Sequence, residues 1–244
     1  MSGTSHHPSA DLLLSYSAGT ASPGHALCVA THLEYCQSCV QAHQRNNAIG
    51  GRLITELHSQ EQSQVSEGLK SRVFSLLDNF TRSPADSDQQ NNRQYKLQNN
   101  RQATQASGMT TDPRLPRALR KLVPEGFNGL DWRMISTSAR SCQLFKDDSS
   151  TIVSLLKLKP GGRVARHKHM GNEFTVILTG AFSDEDGVYR EGDFLLRDAN
   201  DSHSPVATRD AECICLTLQE APLQFTGWPL KLVNPWIRNQ FRLS

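Results

Sequence analysis

The sequence predicts an α+β protein of two separate domains, all-α at the N-terminus and all-β at the C-terminus. Three observations carry this. In the first part, apolar residues recur at spacings of three and four. In the last part, they gather in short β-branched runs between Gly and Asp clusters. Between the two, from Arg82 to Gly108, the text RSPADSDQQNNRQYKLQNNRQATQASG has almost no apolar residues. Such a stretch cannot bury enough surface to offset chain entropy, so it reads as a flexible linker. The expected divisions are therefore 1–81, 82–111 and 112–244.

Ser9 can cap a short helix with Leu12, Leu13 and Tyr16 on one side and Gly19 just past its end. Ser22 can cap a second helix running to about Tyr35, and a third spans about Gln37 to His58. In a fourth, Leu69, Val73, Leu76, Leu77 and Phe80 form an apolar stripe. Downstream, TIVSLLKLKPGG, EFTVILTGAF and ECICLTLQE read as short strands. No long helical period interrupts them, which favours a small sandwich or barrel.

Composition excludes some functions. Lys and Arg number 26 against 24 Asp and Glu, a net charge of +2, so no global basic field points to direct nucleic-acid binding. There is no run of eighteen apolar residues to span a membrane, and the opening MSGTSHHPSADLLL lacks the basic flank and apolar core of an export signal. A cytoplasmic location is expected. Six cysteines in such a chain are reduced thiols or metal ligands rather than a disulfide scaffold.

Two stretches carry chemistry. THLEYCQSCV places His32, Cys36 and Cys39 in the order H-x3-C-x2-C. His32 and Cys36 lie about one helical turn apart, and thiolates with imidazole favour a tetrahedral structural zinc. The fourth ligand is open among His6, His7, His25 and His43. The competing reading makes Cys36 and Cys39 core residues. A thioredoxin-like redox pair would need a βαβ context that is absent. In GGRVARHKHMGNEFTVILTG, His167 and His169 alternate on a strand and share a face, with Glu173 four residues on. Two histidines and a carboxylate suit a transition metal, and His203 in DSHSP can approach from a neighbouring strand. Scattered surface histidines are the alternative. Cys213 and Cys215 in ECICL also share a face and read either as reporters of oxidation or as small buried residues. Cys28 and Cys142 read as structural.

The spacing Gly161-x5-His167-x-His169-x3-Glu173-x6-Gly180 resembles the first cupin motif at every position. The second motif is partial: GVYREGDF keeps the glycine-bounded turn without the usual proline and final asparagine. A cupin, or double-stranded β-helix barrel, implies one metal held by His167, His169, Glu173 and His203. With the segments HHPSADLLLSYSAGT and VATHLEYCQSC, the chain resembles the ChrR-type zinc-binding anti-sigma factors over nearly its whole length. That resemblance implies an N-terminal zinc held by His7, His32, Cys36 and Cys39. It implies a second metal in the cupin, zinc or another divalent transition metal. It also implies a group IV (extracytoplasmic-function) sigma factor as partner, and a cupin that senses or transmits an oxidative signal.

The stripe Leu69, Val73, Leu76 and Phe80 is then the candidate partner-binding face; its alternative is packing onto the zinc-tied helices. The rival class is a cupin metal-dependent dioxygenase or isomerase, whose chemistry needs an open coordination position. No substrate is legible in the sequence.

Overall fold

A computed structural model describes residues 4–60, 66–81, 112–147 and 151–228, and residues 232, 234, 235 and 239 beyond them. The expected linker at 82–111 lies outside the described residues. Compactness groups Met1–Gly50 with Thr111–Ser244, and Gly51–Thr110 separately.

The first unit opens with α1 (Ala10–Ser17) and α2 (Pro23–Leu33). Ser9 Oγ accepts from the Leu12 N–H, Ser22 caps α2, and Pro23 occupies its first turn. The helix α3 (Gln37–Gln60) follows after a short turn. On α2, Gly24, Cys28, Val29, Thr31 and His32 are buried, a stripe at helical spacing.

The barrel is antiparallel throughout. Its main sheet holds β1 (Arg133–Met134), β2 (Ala139–Lys146), β3 (Ile152–Leu158), β5 (Glu173–Thr179), β8 (Phe194–Arg197) and β11 (Cys213–Gln219), in the order β1-β2-β3-β11-β5-β8. The strands β6 (Ala181–Ser183), β7 (Val188–Arg190) and β10 (Val206–Ala207) form a second sheet, ordered β10-β6-β7. A third holds β4 (His167–His169), β9 (Ser202–His203) and β12 (Leu223–Phe225), ordered β12-β4-β9. Every strand expected from the three apolar runs is present.

The main sheet is covered on both faces. Val153, Leu155, Phe174, Val176, Leu178, Ile214, Leu216 and Leu218 pack with Leu13, Cys28 and Val29 of the helices and with Leu115, Leu119, Val123 and Phe127 of the segment before β1. Leu158, Ile177, Leu195, Cys213 and Cys215 face the other way, into the barrel with Val164, Phe182 and Tyr189. The first helices and the barrel thus share one core, a contact that composition does not reveal. Glu34, at the end of α2, ties in the segment before β1 by accepting from the N–H groups of Arg117 and Ala118 at 2.9 and 2.8 Å.

Gly24 is where α2 comes closest to the sheet. A Cβ there would sit 2.6 Å from Leu218 Cδ1 and 3.0 Å from Val153 Cγ2, both in fully buried residues. Gly24→Val should therefore lower the stability by about 1–3 kcal/mol through overpacking. Thermal denaturation checks this; a midpoint at or above that of the wild type would contradict it.

The second unit contains α3 from Gly51 onward and α4 (Glu67–Thr81). Ser66 Oγ accepts from the Leu69 N–H at the start of α4. The described side chains of both helices in this unit are exposed. Among the described residues, no helix is long and apolar enough to cross a membrane.

Candidate metal centres

The first candidate centre lies where α2 gives way to α3. Its ligand atoms from His7, His32, Cys36 and Cys39 all lie within 4.8 Å of one another. Cys36 precedes α3, and its Sγ accepts from the Cys39 N–H at 3.4 Å, so the first turn of the helix sets the thiol spacing. His7 Nδ1 lies 3.4 Å from Cys36 Sγ and 3.5 Å from Cys39 Sγ; His32 Nε2 lies 3.3 Å from Cys39 Sγ. A tetrahedral zinc with ordinary Zn–N and Zn–S bonds needs N···S edges of about 3.5 Å. The donor set fits that ion.

The structure brings His7, rather than the other candidates, to the thiols. His6 points elsewhere, its ring meeting that of Tyr189 with centroids 4.9 Å apart. His25 is paired with Ser22 and with Glu220. His43 Nδ1 bonds Ser17 Oγ at 2.9 Å.

The barrel orients His32. Its Nδ1–H donates to the Gly192 carbonyl at 2.7 Å, which leaves the Nε2 lone pair facing the thiols. Burial lowers the His32 pKa, so the ring favours its neutral, ligating form. The two thiols are polarised apart. Burial would raise Cys36, but hydrogen bonds from Ser38, Thr4 and Cys39 outweigh it and bring the pKa to about 5. Burial, with the neighbouring Cys36, pushes Cys39 to about 11. The pair thus presents one ready thiolate, the form that binds metal.

The second candidate centre lies inside the barrel. The register of β4 against β9 sets His167 directly opposite His203. His203 Nε2 lies 3.1 Å from both His167 Nε2 and His169 Nε2, and all three residues are buried. Each Nδ1 has an acceptor. His167 donates to the Ala165 carbonyl at 3.0 Å and His203 to Asp184 Oδ2 at 2.9 Å. His169 Nδ1 faces Glu173 Oε2 at 3.2 Å. Three lone pairs therefore converge with no donor among them, an arrangement that calls for a cation. The N···N separations match the edges of about 2.9–3.3 Å expected around a transition metal with imidazole bonds of ordinary length. Burial, aided by the neighbouring imidazoles, lowers the His167 pKa to about 4, so this ring stays neutral near pH 7.

The cupin motif implies Glu173 as a ligand beside the three histidines, and its carboxylate lies in the barrel against His169. Its carboxylate stands behind His169 and also accepts from Thr175 Oγ1 and Gln219 Nε2, each at 3.2 Å. Burial would raise its pKa, but the bond to His169 outweighs it and holds the group at about 2. Its carboxylate thus places a negative charge beside the three imidazoles.

Cys213 and Cys215 face each other in the barrel core, with Sγ atoms 3.6 Å apart. The bond to Cys213, together with burial, raises Cys215 well above the usual thiol range, which makes Cys215 a poor nucleophile. Leu69, Val73 and Leu76 on α4 are all exposed. The Phe80 side chain lies outside the described residues. Several further apolar residues share the exposure of the α4 stripe, to which Leu77 also belongs: Ile49, Leu53, Ile54 and Leu57 on α3, and Phe74 on α4. The sequence signal was present in the three- and four-residue spacing of the α3 residues. Asp184, a buried partner of His203, carries no motif that marks it.

The profile of the ChrR cupin-like domain matches residues 126–222. The anti-sigma-E factor ChrR of Cereibacter sphaeroides is 34% identical over 233 residues, covering 96% of this chain and 98% of that protein. The crystal structure of Rhodobacter sphaeroides SigE in complex with the anti-sigma ChrR matches with a TM-score of 0.67 at 30% identity, covering 88% of this chain and 98% of that one. An RmlC-like cupin protein of Ralstonia eutropha matches 42% of this chain, and 70% of its own, at 19% identity and a TM-score of 0.37.

Proposed function

The chain belongs to the ChrR family of anti-sigma factors, and from that premise we propose that it sequesters a group IV sigma factor and so represses transcription. This is a family of regulators rather than enzymes, which sets aside the dioxygenase or isomerase alternative. One observation carries the reading. The helices α3 and α4 present Leu53, Ile54, Leu57, Leu69, Val73, Phe74, Leu76 and Leu77 to solvent, each about half exposed or more. Rows of large apolar side chains on consecutive helices are the chemistry of a helix-in-groove interface.

In this reading the His7, His32, Cys36 and Cys39 centre holds a structural zinc that fixes the arm and the start of α3. The His167, His169 and His203 cluster, balanced by Glu173, holds zinc or another divalent transition metal. It governs release of the sigma factor in response to oxidant. Cys213 and Cys215, in the barrel core, are the second candidates for the oxidant-sensitive step. In this reading the regulator meets its sigma-factor partner in the cytoplasm.

The test is co-expression of the full chain with group IV sigma factors of the same organism, followed by co-purification and in vitro transcription. The wild type should co-purify and inhibit. Val73→Asp with Leu76→Asp should weaken the complex by about 100-fold or more, the effect of losing central apolar anchors. Failure of the wild type to bind or inhibit would refute the anti-sigma reading. Full binding by the double variant would remove α4 from the interface.

A further inference from the structure

A continuous line of side chains runs from the barrel cluster to the N-terminal arm, and neither ligand set accounts for it. His203 Nδ1 donates to Asp184 Oδ2 at 2.9 Å. The same oxygen accepts from Arg197 Nη2 at 2.8 Å, and the Asp184 side chain is fully buried. Arg197 Nη2 also donates to the Tyr189 hydroxyl at 2.8 Å. The Tyr189 ring meets the His6 ring edge-on, with centroids 4.9 Å apart. The next residue is His7, a candidate ligand of the other centre.

The backbone around β8 runs alongside this line. Asp193 Oδ1 accepts from the N–H groups of Ser5 and His6 at 2.7 and 3.2 Å, and the Phe194 N–H donates to the His6 carbonyl at 3.0 Å. The Gly192 carbonyl orients His32. Gly192 has φ 89° and no room for a Cβ, which would lie 2.6 Å from Thr4 Cγ2 and from Tyr35 Cβ. The arm and α2 are thus seated directly on the β7–β8 turn, while the far end of β8 carries Arg197.

We propose that Asp184, Arg197 and Tyr189 couple the two centres, so that the state of the barrel cluster sets how firmly the His7 centre holds its metal. This rests on the reading that both clusters bind metal ions. One carboxylate oxygen serves both His203 and Arg197, so a change in how His203 is held alters what Asp184 offers Arg197. Arg197 in turn positions Tyr189 against the arm. Buried polar networks of this kind respond as a unit. The coupling is reciprocal by linkage, as between any two sites that share a free energy.

The test uses the full-length protein loaded with Co²⁺. The barrel cluster offers imidazoles, so thiolate-to-cobalt charge-transfer absorption reports the His7, His32, Cys36 and Cys39 centre alone. Its decay in excess chelator gives the release rate for the wild type, H203A, Y189F and the H203A/Y189F pair. H203A should speed release by about 5-fold or more, the usual lower range of coupling between sites. In the Y189F background the same substitution should change the rate by less than about 2-fold. D184N, which keeps the side-chain shape, should reproduce H203A and covers the case in which Y189F folds poorly. An unchanged rate in H203A, or an effect that persists in full with Y189F, overturns the coupling. No charge-transfer band in the wild type would overturn the metal reading of the first centre, and the coupling with it.

Discussion

Cys39→Ser is expected to lower the zinc affinity of the full-length protein by about 10²–10³-fold and to release the sigma factor. Structural zinc sites of this type contribute about 10–16 kcal/mol, which over four ligands is about 2.5–4 kcal/mol each. Cys39 stands at the centre of the donor set, 3.3 Å from His32 Nε2 and 3.5 Å from His7 Nδ1. Its loss also frees the arm, because His7 then has one thiol in place of two. The start of α3 loses its tether. Chelator competition measures the affinity and in vitro transcription measures the inhibition. Wild-type zinc retention in Cys39→Ser would exclude the site; normal inhibition by a zinc-free variant would show that the metal does not shape the interface.

His167→Ala should empty the barrel cluster and abolish the oxidant response while the unstressed complex with the sigma factor persists. Loss of an outer-shell partner costs a metal site about 10–100-fold in affinity, and loss of a ligand costs more. His167 is buried and lies 3.1 Å from His203 through their Nε2 atoms, so no neighbour can replace its lone pair. Metal content by mass spectrometry should fall by one ion per chain, with the thiolate centre still loaded. Transcription in the presence of singlet oxygen or organic peroxide should then stay repressed. A normal oxidant response in His167→Ala would move the sensor elsewhere. The serine replacement of both Cys213 and Cys215 tests the remaining candidates in the barrel core.

Much of the fold was legible in the sequence because its signals are local. Ser9 and Ser22 each stand one residue before a helix and supply the hydroxyl its first turn needs. His167 and His169 alternate on β4 with Lys168 exposed between them, as the two-residue period of a strand requires. The exposed α4 stripe was visible in its spacing, although spacing alone does not say whether such a stripe faces a core or a partner. The continuous apolar runs CICLTL and FTVIL also carried a message. A sheet with one wet face alternates, and these runs do not, because helices cover one side of the sheet and the barrel interior lies on the other.

By itself the sequence determined the element order, the two ligand-rich stretches and the family, since these depend on residue type and on spacings along the chain. The tertiary structure decided which histidine meets the thiols. His6 and His7 are adjacent and chemically equal, and only the seating of the arm on Asp193 and Phe194 turns one toward Tyr189 and the other toward Cys36. It also decided that Glu173 stands behind His169, and that Asp184, from a turn with no motif of its own, holds His203. The physical reason is the same in each case. Ligand geometry is fixed by hydrogen bonds between residues more than a hundred positions apart or on different strands, and no period or local preference along the chain encodes them.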